Sequence, residues 1–284
     1  MITVTGATGQ LGHLVIEALL KTTPAAEITA AVRSPEKAAD LAALGVNVKA
    51  ADYTKPETLE AAFEGTDRLL LISSSEVGQR APQHQNVIDA AKKAGVKLLA
   101  YPSILRADAT PLGLGEEHRA TEAALAASGL NYVLLRNGWY TENYAASIPS
   151  ALEYGVFLGA AGEGRISSAA RADYAAAAAA VLTSDGHEGK TYELSGDDSY
   201  TLAEFAAEIA KQSGKEVIYQ NMAEKDFNDA LIAAGLPDGI AAMLADSDAG
   251  AEKGGLFDEG KTLSSLTGQP TTPYTEVIAA ALKA

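Results

Sequence analysis

The sequence predicts an α/β fold, a doubly wound parallel sheet followed by a smaller, partly helical C-terminal lobe. Three observations carry this expectation. Short apolar runs alternate with one-sided helical patterns as far as Asn137, a glycine-rich turn follows the first run directly, and the alternation breaks after Asn137. With 284 residues, 47% of them apolar and 21% charged, the chain can bury a large core and is too apolar to be disordered.

Taken in order, residues 2–5 (Ile2-Thr3-Val4-Thr5) read as the first strand, ending at Gly6. From Gln10 the apolar residues Leu11, Leu14, Val15, Ala18 and Leu19 recur at helical spacing and form one stripe, which Thr22-Thr23-Pro24 stops. Residues 28–32 form the second strand, and Pro35 opens a helix at a tolerated first-turn position. Further strands are expected at 46–50, 69–72, 96–101 and 132–135, with helices at 56–63, 82–94 and 116–127 between them. Strands alternating with helices through short connections imply parallel pairing with right-handed crossovers. After Asn137, helices are expected at 142–153, 171–183 and 202–212, with short strands at 156–158, 165–168, 192–194 and 217–219. The tail from Lys225 reads as helical, with a Gly/Asp-rich interruption at 246–255. This places the first domain at 1–140 and a second lobe at 141–284, some of whose strands return to the main sheet.

Composition narrows the function classes. Zero cysteines exclude disulfides, thiolate metal sites and a cysteine nucleophile. The 22 basic against 37 acidic residues give a net charge of −15, which argues against nucleic acid or an anionic membrane as partner. The longest apolar run, 174–182, is too short for a membrane span. The opening Met1-Ile2-Thr3-Val4 lacks a signal-type basic region, so a cytoplasmic protein is expected. No paired-histidine motif or GxSxG elbow is present, and no metal site is expected.

The turn Gly6-Ala7-Thr8-Gly9-Gln10-Leu11-Gly12 lies between the first strand and first helix, where a Rossmann-type domain binds a pyrophosphate. Gly6 allows the sharp turn, Gly9 the approach of backbone to phosphate, and Gly12 close packing of helix on strand. Exposed N–H groups and the helix dipole favour the anion. At the end of the second strand stands Arg33, where an NAD-specific protein would carry an acid; a guanidinium can bind the 2′-phosphate of NADP, so NADPH is the expected cofactor. Asp52 is a candidate for the adenine amine or for a turn cap. Ser73, Ser74 and Ser75 end the fourth strand, where a dinucleotide would cross the sheet edge.

None of the eleven tyrosines is followed four residues later by a lysine, so the proton-donating pair of short-chain carbonyl reductases is absent. The acceptor must then tolerate hydride without a dedicated acid. A quinone does, because its hydroquinone anion is delocalised; a cationic triarylmethane dye does, because its carbon needs no proton. His118 is a candidate proton relay. The segment Arg136-Asn137-Gly138-Trp139-Tyr140-Thr141-Glu142-Asn143-Tyr144 follows the sixth strand at the sheet end that binds ligands. Trp139, Tyr140, Asn143 and Tyr144 are the candidates for an acceptor wall, and an aromatic clasp between lobes is the other reading. Arg171 is a candidate for a phosphate or interlobe contact.

The combination Val4-Thr5-Gly6-Ala7-Thr8-Gly9-Gln10-Leu11-Gly12, Val32-Arg33, Ala51-Asp52-Tyr53 and Leu135-Arg136-Asn137 with Trp139-Tyr140 resembles the NmrA-like branch of atypical short-chain dehydrogenases, over essentially the whole chain. Ser73-Ser74-Ser75-Glu76-Val77-Gly78-Gln79-Arg80-Ala81-Pro82-Gln83-His84 and Gly254-Gly255-Leu256-Phe257-Asp258 are similar to its bacterial NADPH-dependent quinone oxidoreductases, with triphenylmethane reductases more distant. The resemblance implies NADPH, quinone reduction without flavin, and cofactor contacts at Gly6 through Gly12, Arg33, Ser73 to Ser75, Asn137, Gly138, Trp139, Tyr140, Thr141 and Glu142. Some NmrA-like proteins are NADP(H) redox sensors, which is the alternative function. Monomer and dimer are both compatible with it. Pro102 departs from the pattern, standing where the resemblance implies a hydroxyl residue.

Overall fold

The computed structural model describes residues 1–76 and 78–283; Val77, within the serine-rich segment quoted above, lies outside the described residues. The chain divides into two compact units. The first comprises Met1–Ile104, Glu116–Asn137 and Arg171–Tyr192, the second Leu105–Gly115, Gly138–Ala170 and Glu193–Ala284.

In the first unit, β1 (Ile2–Thr5), β2 (Ile28–Val32), β3 (Asn47–Ala50), β4 (Arg68–Leu70), β5 (Leu98–Ile104) and β6 (Tyr132–Asn137) are parallel throughout. The helices α1 (Gln10–Leu20), α2 (Ala39–Ala43), α3 (Pro56–Phe63), α4 (Arg80–Ala94) and α5 (Gly115–Ser128) connect them. Of the α1 stripe, Val15 and Leu19 are buried and Leu11, Leu14 and Ala18 half-buried, while Ile16, outside the stripe, is buried too. A continuous core joins Leu59 and Phe63 of α3, Val87 and Ile88 of α4, Leu69, Leu99 and Tyr101 of the sheet, and Leu125 of α5. Each such buried apolar side chain contributes roughly 1.5–3 kcal/mol before the entropy of ordering is counted.

The adjacent ends of β4 and β5 differ from expectation, for one reason. β4 stops at Leu70 because the chain then turns towards β1: the Ile72 N–H donates to Thr5 Oγ1 at 3.0 Å, and the Tyr53 hydroxyl lies 2.7 Å from the Ile72 carbonyl. β5 instead runs on through Pro102, which pairs with Leu135 of β6. On the β4 side the ladder ends as the Leu71 N–H donates to the Ala100 carbonyl at 3.0 Å. Pro102, next on that side by the two-residue alternation, has no N–H with which to continue it. The sheet therefore opens beyond Leu70.

In the second unit the expected helix over 142–153 is two helices, α6 (Thr141–Ala145) and α7 (Ile148–Tyr154), because Pro149 starts a new first turn rather than continuing the old. β7 (Val156–Gly159) follows. The expected strand over 165–168 is replaced by isolated bridges, Ile166 with Tyr200 and Ala169 with Tyr140. The chain then returns to the first unit as α8 (Arg171–Thr183), packed on α1, and enters β8 (Thr191–Leu194) at the sheet edge. The sheet order is β3-β2-β1-β4-β5-β6-β8, so the direction of strand addition reverses between β1 and β4.

The remainder of the second unit is α9 (Leu202–Ser213), β9 (Ile218–Asn221), α10 (Glu224–Ala233), α11 (Asp238–Glu252), α12 (Thr262–Thr267) and α13 (Tyr274–Ala281). β9 pairs in parallel with β7. A reciprocal capping box between Thr201 and Glu204 fixes the start of α9. Tyr144, Phe157, Tyr200, Phe205 and Tyr274 form an aromatic cluster. The expected Gly/Asp-rich interruption at 246–255 is not found, since α11 runs unbroken to Glu252. Its polar residues are individually satisfied: Asp246 accepts from the Gly113 N–H at 2.7 Å, and Asp248 from Tyr144 and the Ala160 N–H, both at 2.9 Å. Gly250 leaves room for Leu112, whose Cδ1 would lie 2.7 Å from a Cβ there. Among the described residues no helix is long and apolar enough to cross a membrane.

Candidate active site

In open α/β sheets ligands bind beyond the carboxyl ends of the strands, where strand order reverses. In the first unit that point lies between β1 and β4. The glycine turn occupies the β1 side. Gly6 has φ +59°, a left-handed conformation that a side chain would resist. A Cβ at Gly12 would lie 2.4 Å from the Gly6 carbonyl oxygen, so only glycine lets α1 start this close to the turn. Ala7 is buried, while Thr8, Gly9 and Gln10 are exposed at the tip and Leu11 is half-buried. Gly9 caps α1 without a side-chain hydrogen bond, and the first turn contains no acid. The N–H groups that open the helix therefore face no competing carboxylate of their own turn.

Arg33 follows β2 on the surface, and its Nη1 donates to Glu76 Oε1 at 2.8 Å. The other oxygen of Glu76 accepts from Gln83 Nε2 at 2.8 Å. Sequence reasoning missed this partner, because 43 residues separate the pair and nothing local marks Glu76. Asp52 is a turn cap: one of its oxygens accepts from the Thr54 N–H and hydroxyl, which hold its carboxyl below the usual range.

On the β4 side, Ser73 and Ser74 are half-buried and Ser75 is exposed. The Ser74 N–H donates to His84 Nε2 at 3.0 Å, so the ring hydrogen sits on Nδ1, which donates to Thr121 Oγ1 at 2.8 Å. Arg80 Nε donates to the Ser74 carbonyl. His118, at the start of α5, places Nδ1 2.8 Å from the Tyr101 hydroxyl of β5, which is also 3.4 Å from Ser73 Oγ. Burial, reinforced by the Arg80 guanidinium, pushes His84 down to about 4 and His118 to about 3. Both imidazoles are neutral near pH 7, and neither can donate as an imidazolium. The Tyr101–His118 pair has no local sequence signature, because its members stand on different elements.

At the end of β6, Asn137 is buried, and its side-chain oxygen lacks a hydrogen-bond partner among the described residues. Arg136 makes a two-point contact with Glu122 of α5, at 3.0 and 2.7 Å, and Glu122 also accepts from Ser103 at 2.6 Å. Arg171 is half-buried and opens α8.

The remaining aromatic segment belongs to the second unit. Gly138 donates to the Leu194 carbonyl, and Thr141 bonds through its hydroxyl to Ser168. Tyr140, Glu142 and Asn143 are half-buried and Trp139 is buried. Tyr144 corrects the acceptor-wall expectation. Its hydroxyl is spent on Asp248 and its ring packs on Tyr200 and Phe205, so it is a core residue.

A protein family described as NAD(P)H-binding matches residues 6–185, and the chain belongs to that family. Quinone oxidoreductase 2 of Escherichia coli strain K12 is 64% identical over 278 residues, covering 98% of this chain and 97% of that protein. The crystal structure of the E. coli NADPH-dependent quinone oxidoreductase complexed with NADPH superposes with a TM-score of 0.97 at 63% identity, covering 99% of this chain and 100% of that one. That of Citrobacter sp. triphenylmethane reductase complexed with NADP(H) gives 0.95 at 39% identity, over 99% and 100%.

The residues fit a dinucleotide. An uncapped helix start, a turn that no side chain could enter at Gly12, and an orphaned buried amide oxygen on Asn137 lie at the ligand-binding end of the same sheet.

Proposed function

We infer that the chain is an NADPH-dependent quinone oxidoreductase that passes hydride directly to a flat acceptor, without flavin and without a Tyr–Lys acid. The observation that carries this reading is a pairing: a glycine turn with an uncapped helix start, and a buried, neutral His118 hydrogen-bonded to Tyr101, both at the carboxyl end of the same sheet. Bound NADPH supplies the hydride. The backbone of Gly6, Ala7, Thr8, Gly9, Gln10, Leu11 and Gly12 holds the pyrophosphate, Arg33 takes the 2′-phosphate, and Ser73 to Ser75 with Asn137 position the rest of the cofactor. With His118 kept neutral, a hydroquinone anion is the product that fits, since it collects its proton from water. Trp139, Tyr140 and Asn143 are kept as the acceptor-side candidates, and the cytoplasmic setting expected from the sequence is part of the same reading.

The test is NADPH oxidation followed at 340 nm with a simple benzoquinone, with an aliphatic ketone as control. Turnover is expected with the first only. Turnover no faster than the uncatalysed reaction, or a preference for the ketone, would overturn the assignment.

A further inference from the structure

Arg33 is the cation that the cofactor reading assigns to the 2′-phosphate, yet it is already engaged. Its Nη1 lies 2.8 Å from Glu76, on the loop that follows β4, and Gln83 of α4 holds the second carboxylate oxygen. The carboxylate is thus fixed from behind by an amide donor and aimed at the guanidinium. Both ends of the ion pair face solvent, with 67% of the Arg33 side chain and 44% of that of Glu76 exposed, so the contact can be exchanged without breaking a core. A phosphate monoester near pH 7 carries close to two negative charges and makes the same fork-like contact with a guanidinium. It therefore competes with Glu76 for one group, and meets repulsion from that carboxylate as it arrives. The ribose of NADH brings a hydroxyl instead, which needs no guanidinium and is not repelled.

We propose that Glu76 is a specificity-determining residue: it is the built-in competitor of the 2′-phosphate for Arg33, and its charge limits the preference for NADPH over NADH. The proposal rests on Arg33 as the 2′-phosphate site. It also makes the loop after β4 part of cofactor discrimination, because yielding Arg33 releases one of the ties on Glu76. Gln83 is a positioning residue in this scheme, acting only through the carboxylate it holds.

The test is binding rather than turnover. NADPH and NADH dissociation constants are measured by titration calorimetry for the wild type, Glu76→Gln, Arg33→Ala and the double variant. Glu76→Gln keeps the hydrogen-bonding shape and removes the charge. It is expected to bind NADPH about three- to tenfold more tightly and NADH within twofold of the wild type. In the Arg33→Ala background the same substitution is expected to lose most of that advantage, keeping only the relief of direct repulsion between carboxylate and phosphate. Equal shifts for both cofactors, no shift, weaker NADPH binding, or a gain of undiminished size without Arg33 would each overturn the proposal. If Arg33→Ala weakens NADPH and NADH alike, the 2′-phosphate assignment itself fails, and the proposal with it. If Arg33→Ala is selective for NADPH but Glu76→Gln is neutral, only the competition is refuted.

Discussion

The Tyr101 hydroxyl and His118 Nδ1 lie 2.8 Å apart, joining β5 to the first turn of α5 at the ligand-binding end of the sheet. The positions suit a tyrosine acid with a cationic helper, but the helper is an imidazole that burial keeps uncharged, at about 3. Its resonances, and those of His84 at about 4, should stay flat between pH 5.5 and 8 in proton–carbon NMR spectra. His118→Phe is expected to keep quinone turnover within about fivefold. A loss of 10²–10⁴, the usual worth of a general acid, would refute the acid-free account.

The same two rings set the acid sensitivity of the fold. Their folded values lie below the unfolded 6.5, so the stability they contribute is present above 6.5 and is lost as pH falls towards 4 and 3. Asp248 acts in the opposite sense. Burial raises it to about 6 from 3.8, so its contribution is full below 3.8 and is lost as pH rises through 6. Asp248→Asn can still accept from the Ala160 N–H and donate to the Tyr144 oxygen. Urea titrations should show it more stable than the wild type at pH 8, by about 1–3 kcal/mol, with a steeper fall between pH 6 and 4. Parallel curves for the two proteins would contradict this.

Gly12 and Gly9 should separate packing from ligand approach. Gly12→Ala brings a Cβ to 2.4 Å from one backbone oxygen and 2.7 Å from the Ala7 Cα, so the turn must move. A cost of about 1–3 kcal/mol in thermal unfolding is expected, together with weaker NADPH binding. At Gly9 the tightest contact is 3.2 Å, at the exposed tip. Gly9→Ala should leave the melting temperature within about 2 °C and still weaken NADPH.

Glu122 ties α5 to β5 and β6 through Ser103 and Arg136, and both ionised side chains are 11% exposed. Removing one charge from so sheltered a pair costs about 3 kcal/mol. Glu122→Gln should lower the denaturant midpoint without changing its slope. A change below about 1 kcal/mol would mean that solvent already screens the pair.

The strands, their helices and the phosphate turn were legible in the sequence because each is signalled locally, by apolar spacing, by proline at a first turn, or by glycine where a backbone must come close. The position of Arg33 was legible for the same reason, one residue beyond a clear strand, and its 2′-phosphate role remains the proposal made above. What escaped was written across distance. Glu76 reaches back to Arg33, Tyr101 meets His118, and Asp248 is satisfied by Tyr144 and Ala160 from elsewhere in the chain. α11 shows the cost of reading locally. Its Gly and Asp residues favour a turn in isolation, and tertiary partners override that preference. The 165–168 segment failed in the other direction, because its pattern suits a strand but its backbone is shared among an isolated bridge to Tyr200 and single bonds to Leu256 and Gly196.

The interleaving of the two units has a consequence for biosynthesis. The first unit is finished only by α8, which packs on α1 and ends at Thr183, and by the start of β8. On the ribosome, the burial of the α1 face must therefore wait for a helix translated some 150 residues later, even if the early strands have already paired. At about 5–20 residues per second that delay is on the order of ten seconds or more, during which the face of α1 that receives α8 stays uncovered and open to chaperones.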